Sequence, residues 1–150
     1  MLFHLLSCWS VWAWEVYVAG VPDGDSLTIN QGGLVYEIRL YGIDCPEYSQ
    51  SYWREARGFT QALALGKTVG VESMDTDQYG RVVALVWEQG QLVNSALVRN
   101  GLAWVYPRYC QVQPLCNDMK ASEQNARKQG LGLWREKGPL APWLWRQGRR

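Results

Sequence analysis

The strongest constraint on the fold is a period-two alternation in short runs broken by glycine turns. Between residues 34 and 43, Leu34, Tyr36, Ile38 and Leu40 alternate with Val35, Glu37, Arg39 and Tyr41. Such alternation puts successive side chains on opposite faces of a strand. Two runs precede it: Glu15–Val21, with Val16, Val18 and Val21, and Asp25–Asn30, with Leu27 and Ile29. Gln31-Gly32-Gly33 supplies a turn between the second and third, so the three runs predict an antiparallel meander. On this pattern Arg39 points away from the Leu34–Leu40 face, towards the outer surface.

The period then changes. Residues 52–65 read as a helix with Phe59, Ala62 and Leu63 on one face, stopped by Gly66-Lys67. Thr68–Met74 and Val82–Trp87 are predicted strands four and five, joined by the polar turn Asp75–Arg81. Leu92–Arg99 reads as a short helix ended by Asn100-Gly101, and residues 117–129 as a third, capped by Asn117 and closed by Gly130. The expected class is α+β, mainly β: a five-stranded Greek-key barrel of the OB-fold type with three helices.

With 150 residues, 47% of them hydrophobic, the chain suits one globular domain, expected over residues 14–136. Residues 1–13 resemble the apolar core of a signal peptide without its basic start. A lipoprotein attachment at Cys8 and a buried first element are the competing readings. Residues 137–150 form a tail. The apolar start is too short to span a membrane, and export to the periplasm or medium is expected. Cys110 and Cys116 flank a five-residue loop, which allows either a small disulfide or two free thiols. Nine tryptophans could mark a cell-envelope structural protein, but Trp104, Trp134, Trp143 and Trp145 are better read as core or tail packing.

The net charge of +1 provides no global field for a polyanion, so any such binding depends on local arginines. The one histidine, His4, lies in the leader-like stretch, which removes Ser-His-Asp, Cys-His and histidine-rich zinc chemistry. Any acid-base work then falls to carboxylates, tyrosines, lysines or water, and the carboxylates come first. The meander brings Asp25, at the start of the second strand, towards Asp44, at the end of the third. With the backbone carbonyl of Cys45 they would make a hard-oxygen site that favours Ca²⁺ or Mg²⁺ over zinc. Arg39 and Arg81 offer rigid forks for phosphate oxygens, against the plainer reading of surface ion pairs.

Three stretches carry a resemblance: Pro22–Ser26, Arg39–Glu47 and Asp77–Arg81. Together with Leu65–Val69, Ala96–Ala103 and Gly132–Trp134, they make the chain similar to the thermonuclease (staphylococcal nuclease) family over about residues 15–135. The resemblance implies an OB-fold nuclease that cleaves DNA and RNA with Ca²⁺. It implies Asp25, Asp44 and the Cys45 carbonyl as metal ligands, Arg39 and Arg81 as phosphate-binding residues and Glu47 as the catalytic carboxylate. Tyr79 and Tyr109 fall near its nucleotide pocket. Cys45 stands where threonine is common, and the Cys110–Cys116 loop is an addition seen in secreted bacterial relatives. A monomer is expected. The alternative from another class is an inactive nuclease-like module that binds nucleic acid or protein.

Overall fold

The computed structural model describes residues 14–148; the leader reading, His4 and Cys8 lie outside the described residues. Five long strands carry the fold: β1 (Trp14–Asp23), β2 (Ser26–Gln31), β3 (Leu34–Leu40), β5 (Thr68–Thr76) and β6 (Val82–Glu88). Short strands β4 (Ile43–Asp44), β7 (Gln91–Leu92) and β8 (Trp104–Val105) lie at their margins. The order β3-β2-β1-β5-β6 is closed by a parallel pairing of β3 with β6, with Ile38 opposite Val82 and Leu40 opposite Ala84. Closure removes the exposed edges that an open sheet would present. This is the expected five-stranded OB-type barrel.

Val16, Val18, Leu27, Ile29, Ile38, Leu40, Val69, Val71 and Val86 point inward and are almost wholly buried. Each aliphatic side chain of this kind contributes about 1.5–3 kcal/mol. The inward run of β3 starts later than the alternation suggests. Leu34 and Val35 are both exposed, because the β2–β3 hairpin extends beyond the barrel wall at its glycine turn.

Helix α1 (Trp53–Ala64) packs through Ala56, Thr60 and Ala64, with Phe59 and Leu63 beside this stripe; Ala62 faces out rather than in. The small residues let the helix approach the β1–β2 turn closely. A Cβ on Gly24 would lie 2.9 Å from both the Ala56 Cβ and the Cys45 Sγ, so only glycine fits there. The Thr60 hydroxyl donates to the Gly24 carbonyl at 2.6 Å, and Arg57 Nε donates to the Val21 carbonyl at 2.9 Å. The helix thus holds the turn that carries Asp25.

Helix α2 (Val93–Arg99) seals the barrel where β3 and β6 stop pairing. The buried amide of Asn94 accepts from Val86 N at 3.1 Å and donates to the carbonyls of Tyr41 and Ala84 at 3.0 and 3.1 Å. Helix α3 (Leu115–Gln129) starts two residues earlier than expected, with Pro114 at the cap, which places Asn117 inside the first turn. Gly130 closes it in the left-handed conformation, as expected. Cys110 and Cys116 form a disulfide ahead of this helix. The Tyr41 hydroxyl accepts from the backbone of Gln111 and Val112, tying the disulfide loop to the end of β3.

Beyond the three expected helices, the tail contains a fourth, α4 (Pro142–Gln147). Its Trp143 stacks on Tyr106 at 4.6 Å and meets Trp104 edge-on at 5.7 Å; Trp104 in turn contacts Trp134 at 4.6 Å. Arg127 lies 3.9 Å from the Trp134 ring centre. These tryptophans hold the tail and α3 against the barrel, as packing residues should.

Candidate active site

Asp25 follows the tight Asp23-Gly24 turn, and the hairpin register sets Ser26 opposite Arg39. After β3, Gly42 adopts a positive φ of 75°, and a Cβ there would come within 2.7 Å of the Cys110 sulfur. The chain therefore turns sharply and returns Asp44 to the same spot. Arg39 bridges the two acids. Its Nη1 pairs with Asp25 Oδ1, and its Nη2 donates to Asp44 Oδ1 at 3.0 Å and to the Ile43 carbonyl at 3.2 Å. The arginine is therefore half-buried and engaged by the carboxylates, instead of standing free on the outer surface. Cys45 N donates to Asp25 Oδ2 at 2.6 Å, which fixes the second oxygen of that carboxylate.

Glu47 projects from the turn that Pro46 stiffens. Its backbone N–H donates to Gln50 Oε1 at 2.9 Å, and the other end of the same amide donates to the Leu140 carbonyl in the tail. A cavity of about 150 Å³ beside these residues is lined by Asp23, Asp25, Cys45, Glu47, Tyr48 and Trp53. Tyr48 and Trp53 form a tilted aromatic pair at 4.8 Å on its wall, with the Arg54 guanidinium 5.2 Å from the Trp53 ring centre.

Three acids crowd one half-buried space. Burial, followed by the charge of Asp25, pushes Asp23 up to about 7. Burial also raises Asp44 to about 6, against the lowering effect of its hydrogen bonds from Arg146. Both shifts come first from burial and then from the neighbouring charge of Asp25, and a bound cation would oppose both. For Arg39, burial works against the charge, but Asp25 and Asp44 outweigh it and hold the guanidinium firmly protonated.

The groups here that could hold a metal ion, the Asp25 and Asp44 carboxylates and the Cys45 carbonyl, offer oxygen only. Among the described residues no three His, Cys, Asp or Glu side chains form a metal-holding group. Two carboxylates and a backbone carbonyl, completed by water and substrate, suit a hard ion with a large flexible shell. The Cys45 thiol is not a donor. It is buried against Gly24 and α1, and burial followed by the charge of Asp25 keeps it protonated.

Arg81 ends the β5–β6 turn. Its Nε pairs with Asp77 Oδ2 at 2.7 Å, and Asp77 Oδ1 accepts from the backbone of Tyr79 and Arg81 at 2.9 and 3.0 Å. Because Val82 and Val83 pair with Ile38 and Arg39, the turn begins one residue from the strand that carries Arg39. Tyr79 is exposed beside it, with the Arg81 guanidinium 5.7 Å from its ring centre. Tyr109 is exposed and leans edge-on against Tyr106 at 4.8 Å, in the aromatic cluster that holds α4.

Sequence reasoning missed Arg146. From α4 it donates Nη2 to Asp44 Oδ2 at 2.8 Å and Nη1 to Asp44 Oδ1 at 3.3 Å, and it also pairs with Glu47 Oε1. Nothing in a short Trp-rich tail signals this placement, which depends on the tertiary stack of Trp143 on Tyr106. Gln50 was equally silent, since a glutamine after a turn has no distinctive spacing.

The site therefore gathers Asp25, Arg39, Asp44, Cys45 and Glu47 into one cluster, with Arg81 and Tyr79 on an adjoining turn. The family model described as "Staphylococcal nuclease homologue" matches residues 37–136. The chain belongs to the staphylococcal nuclease family. It is 36% identical over 141 residues to an uncharacterized endonuclease of Escherichia coli, covering 92% of this chain and 90% of that protein. A Haemophilus influenzae protein of the same description is 32% identical over 148 residues, covering 98% of this chain and 81% of that one. The micrococcal nuclease of Shigella flexneri is 33% identical over 150 residues, with 92% and 85% covered. The chain is a nuclease of this family, a hydrolase that works with a metal ion. Asp25 and Arg146 both lie outside residues 37–136.

Proposed function

We propose that this staphylococcal nuclease homologue hydrolyses phosphodiester bonds of DNA and RNA with Ca²⁺ and little sequence preference. The observation that carries the reading is that Arg39 ties Asp25 to Asp44, while Asp25 and Glu47 line one pocket beside them. Asp25, Asp44 and the Cys45 carbonyl would hold the ion. When bound, the ion supplies charge neutralisation at the phosphate and a polarised water.

Glu47 receives the proton of the attacking water, held at fixed reach by Pro46 and by the Gln50 bond to its backbone. The water oxygen bonds to phosphorus as the ester oxygen departs and takes up a proton. Arg39 and Arg81 supply fixed positive charge to the non-bridging oxygens, where charge builds in the transition state. Tyr79 and Tyr109 offer aromatic faces for bases, which suits tolerance of base identity. The Cys110–Cys116 disulfide supports work in an oxidising compartment, periplasmic or extracellular. The protein is proposed to act as a monomer. Among the described residues no helix is long and apolar enough to cross a membrane.

The inactive-module reading would be favoured by loss of one of Asp25, Arg39, Asp44, Glu47 or Arg81, and all five are present. The test is digestion of plasmid DNA and of RNA with Ca²⁺, with Mg²⁺ and with EDTA, alongside Glu47→Gln. Ca²⁺-dependent cleavage that EDTA abolishes and Glu47→Gln cripples is expected. A folded wild type that cleaves neither polymer in Ca²⁺ removes the reading.

A further inference from the structure

Asp44 has a neighbour that the reaction does not call for. Its side chain is only 1% exposed, and both of its oxygens accept from the Arg146 guanidinium. The same guanidinium pairs with Glu47. One cation therefore covers a carboxylate assigned to the metal and the carboxylate assigned to the water.

This contact is built rather than incidental. The tail is anchored ahead of Arg146 by the Gln50 bond to Leu140, by buried Ala141 and Pro142, and by Trp143 on Tyr106. Trp104, which Trp143 also meets, pairs across β8 with Asp44 itself. The framework that positions Asp44 thus positions the arginine that covers it. Gln50 adds a second link, since one amide holds both Glu47 and the tail.

We propose that Arg146 is a resident counter-cation of the catalytic carboxylates, which a divalent ion must displace from Asp44 before the site is loaded. The inference rests on the metal-dependent reading given under Proposed function. Two arguments make the occupants exclusive. A guanidinium and a dication on the same pair of oxygens would sit at contact distance, where like charges repel strongly even near a protein surface. With Arg146 in place, moreover, almost none of the Asp44 side chain remains open to solvent, whereas Arg146 is 41% exposed and lies on the solvent side of the contact. The arginine lowers apparent metal affinity by holding the site in a form that cannot bind, and it neutralises the crowded acids until the ion arrives.

The test is calorimetric titration of Ca²⁺ into the full-length wild type, Arg146→Gln and Arg146→Lys, with urea midpoints as a folding control. Removing the fork should tighten Ca²⁺ binding by about five- to a hundred-fold in Arg146→Gln, the span usual for coupled sites. Lysine, which keeps the charge but loses the bidentate geometry, should fall between. Equal or weaker binding in Arg146→Gln overturns the proposal; if that chain does not fold, equal or weaker binding in Arg146→Lys does so. Absence of any binding heat in wild type and variants alike removes the Ca²⁺ reading and this inference with it. That result is distinct from equal affinities, which remove the inference alone.

Discussion

Arg39 and Arg81, the two arginines proposed to bind phosphate, are held in different ways. Arg39 is bonded to the carboxylates of Asp25 and Asp44 and to the backbone carbonyls of Asp25 and Ile43, which two separate segments of the barrel contribute. Its position is a property of the fold. Arg81 is held by Asp77, four residues away, within a turn whose Tyr79 is 76% exposed. Its position is a property of the turn. On the proposed function, this gives the site an acidic floor tied together by the fold and a more exposed rim held by one turn. Substitutions in the floor should affect folding and activity together, while those in the rim should affect activity alone.

The largest expected effect tests the floor. Arg39→Gln leaves Asp25 and Asp44 facing each other without their shared cation, and unfolding in urea should show a loss of about 3 kcal/mol or more. Its kcat should fall at least as far as for loss of any single transition-state contact, about 10²–10³-fold. Retention of full stability would show that Arg39 does not tie the floor together. Glu47→Gln comes next: a kcat drop of about 10²–10⁴-fold with the urea midpoint nearly unchanged, since Glu47 stands at the boundary of floor and solvent. A third test addresses the rim. Arg81→Ala should cost about 10²–10³-fold in kcat but no more than about 1 kcal/mol in stability, because its ion pair is partly solvated. A stability loss equal to that of Arg39→Gln would abolish the contrast.

The smallest effect concerns Asp77. Burial works to raise its pKa, but the hydrogen bonds from Arg81 and from the turn backbone hold it below the usual carboxylate value. A carboxylate depressed in the folded state contributes stability above the unfolded value of about 3.9, and that contribution is lost as pH falls through the folded value. Wild type should therefore exceed Asp77→Asn slightly in urea midpoint at pH 7, and the gap should close in strong acid. A gap that persists unchanged at low pH would mean that the turn is held by something other than this charge.

The barrel and the floor were largely legible in the sequence, for a shared reason. Strand alternation determines which face a residue takes, and two-strand register determines which residues meet, so Asp25, Arg39 and Asp44 follow from local pattern plus one hairpin. The misjudged details are those where tertiary packing overrides a local signal. Ala62 suits the apolar face of α1 by type, yet Ala56, Thr60 and Ala64 occupy that face because the β1–β2 turn requires small residues there. Asn117 is a good cap by composition, but the helix begins earlier, at Leu115, with Pro114 in the cap position. Arg146 could not be read at all. Its partner Glu47 is 99 residues away, and the contact depends on an aromatic stack with no sequence period.

Asn94 has a consequence for synthesis. All five barrel strands are complete by residue 88, so a chain still emerging from the ribosome holds every stave of the barrel. It lacks the amide that satisfies Val86 N and caps the carbonyls of Tyr41 and Ala84, because that group arrives six residues later on α2. Trp104, the partner of Asp44, arrives later still. The bonds that stitch the barrel's seam and pair Asp44 therefore need groups that are synthesised after all five long strands.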